Sequence, residues 1–155
     1  MKVLFLDMDG VMNSRSSRNK GYQERKHTTD KEGWDFPAQP MIDNFNMIIE
    51  ATGAKVVISS SWRYFHSIES MRNIFKHVGM NCEIIGETPK NTLYTIRGQE
   101  IEAWLKEHPE VTSFAIVDDS SDMQPVAKNF VQTSDLRGLE NKHSLKLIKI
   151  LNEAA

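Results

Sequence analysis

The sequence contains only one cysteine, Cys82, so no disulfide can form within the chain. This shortage excludes the small disulfide-stabilised secreted proteins and favours a reducing compartment, the cytoplasm. No apolar run approaches the roughly 18 residues of a membrane-spanning helix, so we expect no membrane association of that kind. The first residues enter a strand-like run without the charged start and cleavage site of a secretory signal, and none is expected.

The sequence also lacks a large excess of either charge, because the formal net charge is −2. That balance gives no support to a strongly basic nucleic-acid-binding protein, although it is compatible with a local basic patch. The P-loop pattern and the glycine-rich dinucleotide fingerprint are both missing, which disfavours a P-loop kinase and a dinucleotide-binding enzyme. With 155 residues, 39% of them hydrophobic, the composition predicts one globular domain over 1–155.

The most informative stretch lies near the start of the chain. Residues 3–6 form a continuous apolar run, which is typical of a short strand buried on both faces. Asp7 and Asp9 follow directly, and Gly10 supplies the backbone freedom for a tight exit. We therefore expect this strand to deliver two carboxylates to the edge of a sheet.

The rest of the chain alternates between strand-like and helix-like segments. Buried strands are predicted at 55–58, 82–85, 113–117 and 129–132, and helices at 41–52, 68–78, from 96 or 97 to Pro109, and at 144–152. This alternation predicts an α/β fold, a Rossmann-like three-layer α/β/α sandwich with a parallel central sheet. In such sheets ligands bind at the carboxyl ends of the strands, where Asp7, Ser59 and Asp118 would meet.

Residues 12–40 interrupt the alternation. The segment is rich in Ser, Asn and basic residues and contains Pro37 and Pro40, so it has the composition of a loop. Loops of this length in a compact domain are often functional, and we interpret the segment as a flap or small cap over the site. A mobile, solvated excursion is the alternative.

The predicted sheet edge concentrates negative charge. Asp7, Asp9, Asp118, Asp119 and Asp122 would crowd together there, and crowded carboxylates either raise their pKa values or bind a cation. An all-oxygen site without cysteine or histidine ligands suits Mg²⁺. Side chains at i and i+2 of an extended chain share a face, so one carboxylate of the first pair could attack phosphorus while the other protonates the leaving oxygen.

Hydroxyl and cationic side chains complete a phosphate-binding set. Ser59 and Ser60, directly after the second strand, could donate hydrogen bonds to a phosphoryl group, although a serine run can equally be a turn or helix cap. Arg97, or alternatively Lys90, would neutralise the charge shared by nucleophile and phosphate. An ordinary surface role at the start of a helix is the alternative for Arg97.

These motifs resemble those of the haloacid dehalogenase-like (HAD) phosphohydrolase superfamily. The run from Asp7 to Val11 is similar to the first HAD motif, Ser59 to the second, Arg97 or Lys90 to the third, and the run from Asp118 to Asp122 to the fourth. The resemblance implies that Asp7 is the nucleophile and Asp9 the general acid and base. It also implies Mg²⁺ binding by Asp7, the main-chain carbonyl of Asp9, and Asp118 or Asp119.

The segments around Ser59, Arg97 and Asp118 are similar, more narrowly, to small HAD domains of nucleic-acid repair proteins and to polynucleotide kinase phosphatase domains. This resemblance implies that Arg63 also contacts the phosphate. It implies a phosphatase that acts through an aspartyl-phosphate on a phosphorylated small molecule or a nucleic-acid end, with a small cap that leaves the site open. A receiver domain or a catalytically idle HAD module used for binding are the alternatives, although receivers carry their acceptor aspartate on a later strand.

Overall fold

The structure, a computed structural model, describes residues 1–17, 37–90 and 96–153. The described strands are β1 (Lys2–Leu6), β2 (Lys55–Ile58), β3 (Ile84–Glu87), β4 (Ser113–Asp118) and β5 (Phe130–Gln132). The helices of at least ten residues in these ranges are α1 (Gln39–Thr52), α2 (Ile68–Val78), α3 (Arg97–Lys106) and α4 (Asn141–Asn152). Two 3₁₀ turns cover Ser61–Tyr64 and Ala127–Asn129.

The strands form a single parallel sheet in the order β3-β2-β1-β4-β5. β1 lies at its centre, and Leu6 is the register partner of both Ile58 in β2 and Val117 in β4. The central strands are almost fully buried because helices cover both faces, as their unbroken apolar sequences predict. The predicted Rossmann-like α/β fold with a parallel sheet is confirmed.

Alternate residues of β1 pack into two different cores. Leu4 and Leu6 join the core under α1, α2 and α4, whereas Val3 and Phe5 face α3 on the other side. The side chains of Ile101 and Trp104 supply the apolar face of α3, and the ring of Trp104 meets that of Phe5 edge to face. Helices thus form the outer layers of a three-layer sandwich around the sheet.

Local signals define the helix ends. The Ser67 hydroxyl accepts from the Ser70 amide at the start of α2, and Gly79 ends the helix with φ of 85°. α4 begins three residues earlier than the apolar pattern indicates, at Asn141, because Glu140 and His143 form a reciprocal cap. The Glu140 N–H donates to His143 Nδ1 at 3.0 Å, a contact that the predicted range of 144–152 left out.

β3 lies two residues later than predicted. Cys82 precedes the strand, and Gly86, which lies beyond the predicted end at residue 85, is inside it. The reason is strand pairing, because Gly86 and Glu87 are the register partners of Val57 and Ile58 in β2. Burial raises the pKa of the Cys82 thiol to about 12, which keeps it protonated.

Most of the predicted 12–40 flap, residues 18–36, lies outside the described residues, so the flap stays a prediction. Among the residues that the structure describes, no helix combines the length and apolar character needed to cross a bilayer.

Candidate active site

Three predicted site residues follow directly from register-matched positions of neighbouring strands. The Asp7 N–H donates to Val117 O at 3.1 Å, and the Ser59 N–H donates to Leu6 O at 3.0 Å. Asp118 is the last residue of β4. Since the strands are parallel and in register, the ends of β1, β2 and β4 form a continuous edge, with Asp7 at its centre.

A carboxylate cluster occupies this edge. One carboxylate oxygen from each of Asp7, Asp118 and Asp119 lies within 4.8 Å of the others. Gly10 allows this approach, because its φ is 81° and a Cβ there would overlap the Asp119 carboxylate. Three convergent oxygen donors fit a hard divalent cation such as Mg²⁺.

The cluster is electrostatically unbalanced. Burial raises the pKa of Asp7 well above its ordinary value, and the nearby Asp118 and Asp119 raise it further. Burial likewise raises the pKa of Asp118, although Arg97 acts in the opposite direction. The carboxylates therefore lack enough positive charge from the protein alone, and a bound cation would supply it.

Arg97 is the cation that the fold brings to the cluster. Its Nη1 lies 2.6 Å from Asp118 Oδ2 and 3.3 Å from Asp7 Oδ1. Burial alone would lower the pKa of Arg97, but Asp118 and Asp7 raise it, so the guanidinium is firmly charged. Of the two cations considered for the third motif, Arg97 is the one that contacts these carboxylates.

The position of Arg97 depends on its neighbour Gly98. The Gly98 N–H donates to Asp122 O at 3.0 Å, and a Cβ at Gly98 would overlap the Met123 and Gln124 main chain. The first turn of α3 therefore lies directly against the loop that follows β4. Because Asp118 ends β4 and Asp119 begins that loop, the same contact aligns the arginine with the carboxylates.

The serine run contributes two different kinds of contact. Ser59 is fully buried, and its hydroxyl is the one buried side-chain polar atom without a hydrogen-bond partner in the described ranges. Ser60 is also buried, but its hydroxyl accepts from the Trp62 N–H at 3.2 Å and caps the following turn. The turn-cap interpretation therefore describes the observed Ser60 contact, and phosphate binding by Ser60 stays a prediction.

Asp9 lies beside the carboxylate cluster in a separate environment. Its Oδ1 accepts from the indole N–H of Trp62 at 3.0 Å and from the Asn13 amide at 2.9 Å. Asp9 is partly exposed, whereas Asp7 is buried. The two aspartates of the first motif are thus held by different parts of the protein.

Arg63 and Lys90 are engaged with groups other than the cluster. The Arg63 guanidinium donates to Ser60 O, to the carbonyl and hydroxyl of Thr88 and to Pro89 O, and forms an ion pair with Glu100 at 3.1 Å. Lys90 pairs with Glu87 at 3.4 Å. Phosphate contacts by these two residues stay predictions, and the contacts observed join the ends of β2 and β3 to α3.

Sequence reasoning gave no role to Trp62, Asn13 or Gly98. A signal existed for Trp62, because a tryptophan that follows a buried strand needs an acceptor for its indole N–H. Asn13 and Gly98 carried no such signal. Asn13 reaches Asp9 only once the turn after β1 has folded, and Gly98 packs against Met123 and Gln124, which are distant in the chain.

Comparisons with known proteins place the chain in a family. A family model described as the HAD domain in Swiss Army Knife RNA repair proteins matches residues 3–144, a range that includes every site residue described above. Among solved structures, a hydrolase of the haloacid dehalogenase-like family from Streptococcus pneumoniae is similar. It is 10% identical with a TM-score of 0.47, and the alignment covers 94% of this chain and 90% of that chain. The curated proteins contain no match.

Proposed function

The chain belongs to the family of HAD domains in Swiss Army Knife RNA repair proteins, and from its membership of this hydrolase superfamily we propose that it is a Mg²⁺-dependent phosphomonoester hydrolase. Asp7 is the nucleophile of the proposed reaction, and Asp9 is the general acid and base. The substrate class is a phosphorylated nucleotide or a nucleic-acid end, which the family description supports.

The unpartnered hydroxyl of Ser59 carries this proposal. A buried hydroxyl without a hydrogen-bond partner is energetically unfavourable. Because Ser59 lies at the same strand edge as Asp7, we infer that a bound ligand supplies the acceptor for its hydroxyl. The Ser59 main-chain N–H donates a hydrogen bond to the carbonyl of Leu6, the residue before Asp7. A phosphoryl oxygen adjacent to Asp7 would satisfy the hydroxyl, whereas a purely structural cluster gives no reason to leave it unpaired.

In the proposed reaction an Asp7 carboxylate oxygen attacks phosphorus and forms an aspartyl-phosphate. The P–O bond to the leaving group breaks, its electron pair goes to the leaving oxygen, and Asp9 donates a proton to that oxygen. Asp9 then takes a proton from water, whose oxygen attacks phosphorus and releases phosphate from Asp7. Ser59 and Arg97 bind the phosphoryl oxygens throughout.

Mg²⁺ held by Asp7 and by Asp118 or Asp119, with the Asp9 main-chain carbonyl as a further ligand, would offset the repulsion between the carboxylate and the phosphate. The three carboxylate oxygens within 4.8 Å of one another support this assignment. Residues 12–40 as a small cap, and a cytoplasmic location in keeping with the single cysteine, complete the proposal.

The proposal is tested by a phosphatase screen with Asp7→Asn as the blank. The panel compares an aryl phosphate, mononucleotides, 3′- and 5′-phosphorylated oligonucleotides and sugar phosphates. We expect Asp7→Asn to lower turnover by more than about 10³-fold, and chelation of Mg²⁺ to do the same. Asp43→Asn is the matched control and should keep full activity, because the exposed Asp43 carboxylate on α1 accepts a hydrogen bond from the Gln39 side chain.

Undiminished turnover in Asp7→Asn contradicts the proposed mechanism. Failure of the wild-type protein to hydrolyse any member of the panel, while still binding Mg²⁺, favours a catalytically idle binding module instead. Stable phosphorylation at an aspartate other than Asp7 would favour the receiver-like alternative.

A further inference from the structure

We propose that Trp62 and Asn13 are positioning residues that occupy one oxygen of Asp9 and thereby confine its transferable proton to the other oxygen. The inference rests on the proposed function, because it concerns the general acid of that reaction. Its basis is that both contacts fall on Oδ1 of Asp9, at 3.0 Å from Trp62 Nε1 and 2.9 Å from Asn13 Nδ2.

Both groups can only donate at this oxygen. The indole N–H of Trp62 has no lone pair to offer. The amide of Asn13 is oriented by Gly10, whose main-chain N–H donates to Asn13 Oδ1 at 3.1 Å, so the NH₂ group faces Asp9. A proton on Oδ1 would meet two N–H groups, whereas Oδ2 accepts no hydrogen bond from the residues that the structure describes. The proton that Asp9 transfers to the leaving oxygen therefore resides on Oδ2.

The Trp62 ring is held in place before any substrate binds. The Ser60 hydroxyl accepts from the Trp62 main-chain N–H, and the Arg63 N–H donates to Ser60 O at 3.1 Å, which closes the turn. The ring is buried and lies 5.2 Å from that of His66. A donor fixed in this way orients its partner at no cost when the substrate arrives.

Asn13 is anchored from the other side of Asp9. It is buried in the turn that leaves β1, where the Met12 N–H donates to Met8 O at 2.8 Å and Ala38 N–H donates to Met12 O at 2.9 Å. The Asp9 carboxylate is thus held between the turn after β1 and the turn after β2.

If Trp62 and Asn13 orient the Asp9 carboxyl, their loss should affect substrates differently according to the leaving group. A purely structural role of these residues predicts no such difference. When an alkyl phosphate is cleaved, the departing alkoxide needs a proton as the P–O bond breaks. A nitrophenolate is stable as an anion near neutral pH and needs little help. Misorientation of the Asp9 carboxyl should therefore slow the alkyl ester far more than the aryl ester.

The test measures kcat and KM of Trp62→Phe and Asn13→Ala on p-nitrophenyl phosphate and on a phosphorylated oligonucleotide, whose leaving group is an alkoxide. We expect kcat to fall by about 10- to 100-fold on the oligonucleotide and by less than about 3-fold on the aryl ester, with KM little changed. In an Asp9→Asn background the Trp62→Phe substitution should have no further effect, because it acts through Asp9.

Trp104→Phe is the matched control, since Trp104 is also a buried tryptophan but belongs to α3 and packs in the other core from Trp62. Any loss of activity there should be equal for the two esters. If Trp62→Phe does not fold, benzothienylalanine at position 62 keeps the shape of the ring and removes only the N–H. As a readout independent of turnover, hydrogen exchange of the Trp62 indole N–H should accelerate in Asp9→Ala.

The outcomes are distinguishable from failure of the proposed function. Hydrolysis of both esters through Asp7, with equal losses for the two in Trp62→Phe, overturns the positioning role alone. Absence of hydrolysis in the wild type, or full activity in Asp7→Asn, overturns the proposed function and this inference together.

Discussion

Two arginines at the same edge of the sheet have opposite surroundings. The Arg63 side chain is 2% exposed and lies among neutral acceptors of Ser60, Thr88 and Pro89, with one carboxylate, that of Glu100. The Arg97 side chain is 20% exposed and lies among carboxylates. Each is ion-paired, and the two carboxyls that Arg97 contacts, Asp7 and Asp118, have pKa values that burial raises.

The difference separates a cation whose charge is balanced from one that faces an excess of negative charge. Arg63 has one charged partner and several neutral acceptors for its Nε and Nη1 donors, so its charge is balanced within the protein. Arg97 faces Asp7 and Asp118, with Asp119 close by, and one positive charge does not balance three negative ones. Such an imbalance is typical of sites that bind a further charged species.

The largest expected effect is on stability, in Arg63→Gln. Removal of the guanidinium leaves Glu100 and the Thr88 and Pro89 carbonyls without their buried partner, which should lower the free energy of unfolding by about 3–5 kcal/mol. Urea unfolding followed by circular dichroism measures this. Arg15→Gln, where the arginine is 64% exposed and pairs with Asp135, should change it by less than about 1 kcal/mol. Similar effects of the two substitutions would remove the structural role of Arg63.

A smaller effect is expected for Arg97→Gln, and it should fall on catalysis. Loss of the guanidinium removes the donor that binds the phosphoryl oxygens, so kcat should decrease by about 10²–10³-fold. The free energy of unfolding should change less than in Arg63→Gln, since water and added Mg²⁺ can reach this side chain's surroundings. Arg97→Lys should recover part of the rate. A stability loss equal to that of Arg63→Gln, with activity retained, would reverse the comparison.

The smallest expected effect is on the pH dependence of the free energy of unfolding. It is measured without metal, in excess chelator. Because burial raises the folded-state pKa of Asp7 above its unfolded value, folding favours the protonated form. The ionised carboxyl therefore destabilises the fold at neutral pH, and this penalty diminishes as the pH falls through the folded pKa towards the unfolded value. Asp7→Asn mimics the protonated form and should be more stable than the wild type at pH 7.

This advantage of Asp7→Asn should shrink as the pH is lowered, and urea unfolding at several pH values measures it. Glu100→Gln, at the Arg63 ion pair, provides the contrast, because it removes a balanced partner and should destabilise the protein at pH 7. A wild-type protein more stable than Asp7→Asn throughout this range would mean that Arg97 already compensates the cluster.

The fold and the three strand-end residues were accessible from sequence because the signal is local. An apolar run that ends in a polar residue marks the edge of a buried strand, and parallel topology brings such ends together. Leu6, Ile58 and Val117 meet in register as that reasoning implies. The order of strands and the position of β3 were not accessible, since they depend on pairing between segments distant in the chain, such as Gly86 with Val57 of β2.

The partners of the site residues were harder to predict than the residues themselves. Arg97 and Lys90 both follow β3, and sequence alone offered no means to choose between them. What brings Arg97 to Asp118 is the packing of Gly98 against the Met123 main chain, a contact between distant segments. The contacts of Trp62 and Asn13 with Asp9 depend in the same way on the folded turns that follow β1 and β2.

The in-register ends of β1, β2 and β4 also determine which changes of chain length the domain can tolerate. Side chains alternate between the two faces of a strand, so loss of one residue from Lys2–Leu6 would exchange the faces of everything on one side of the deletion. The chain could then keep Leu4 and Leu6 in their core or keep Asp7 beside Asp118, but it could not do both. Substitutions inside β1 alter its packing, whereas insertions and deletions there would shift the carboxylate of Asp7 relative to the core residues of the same strand.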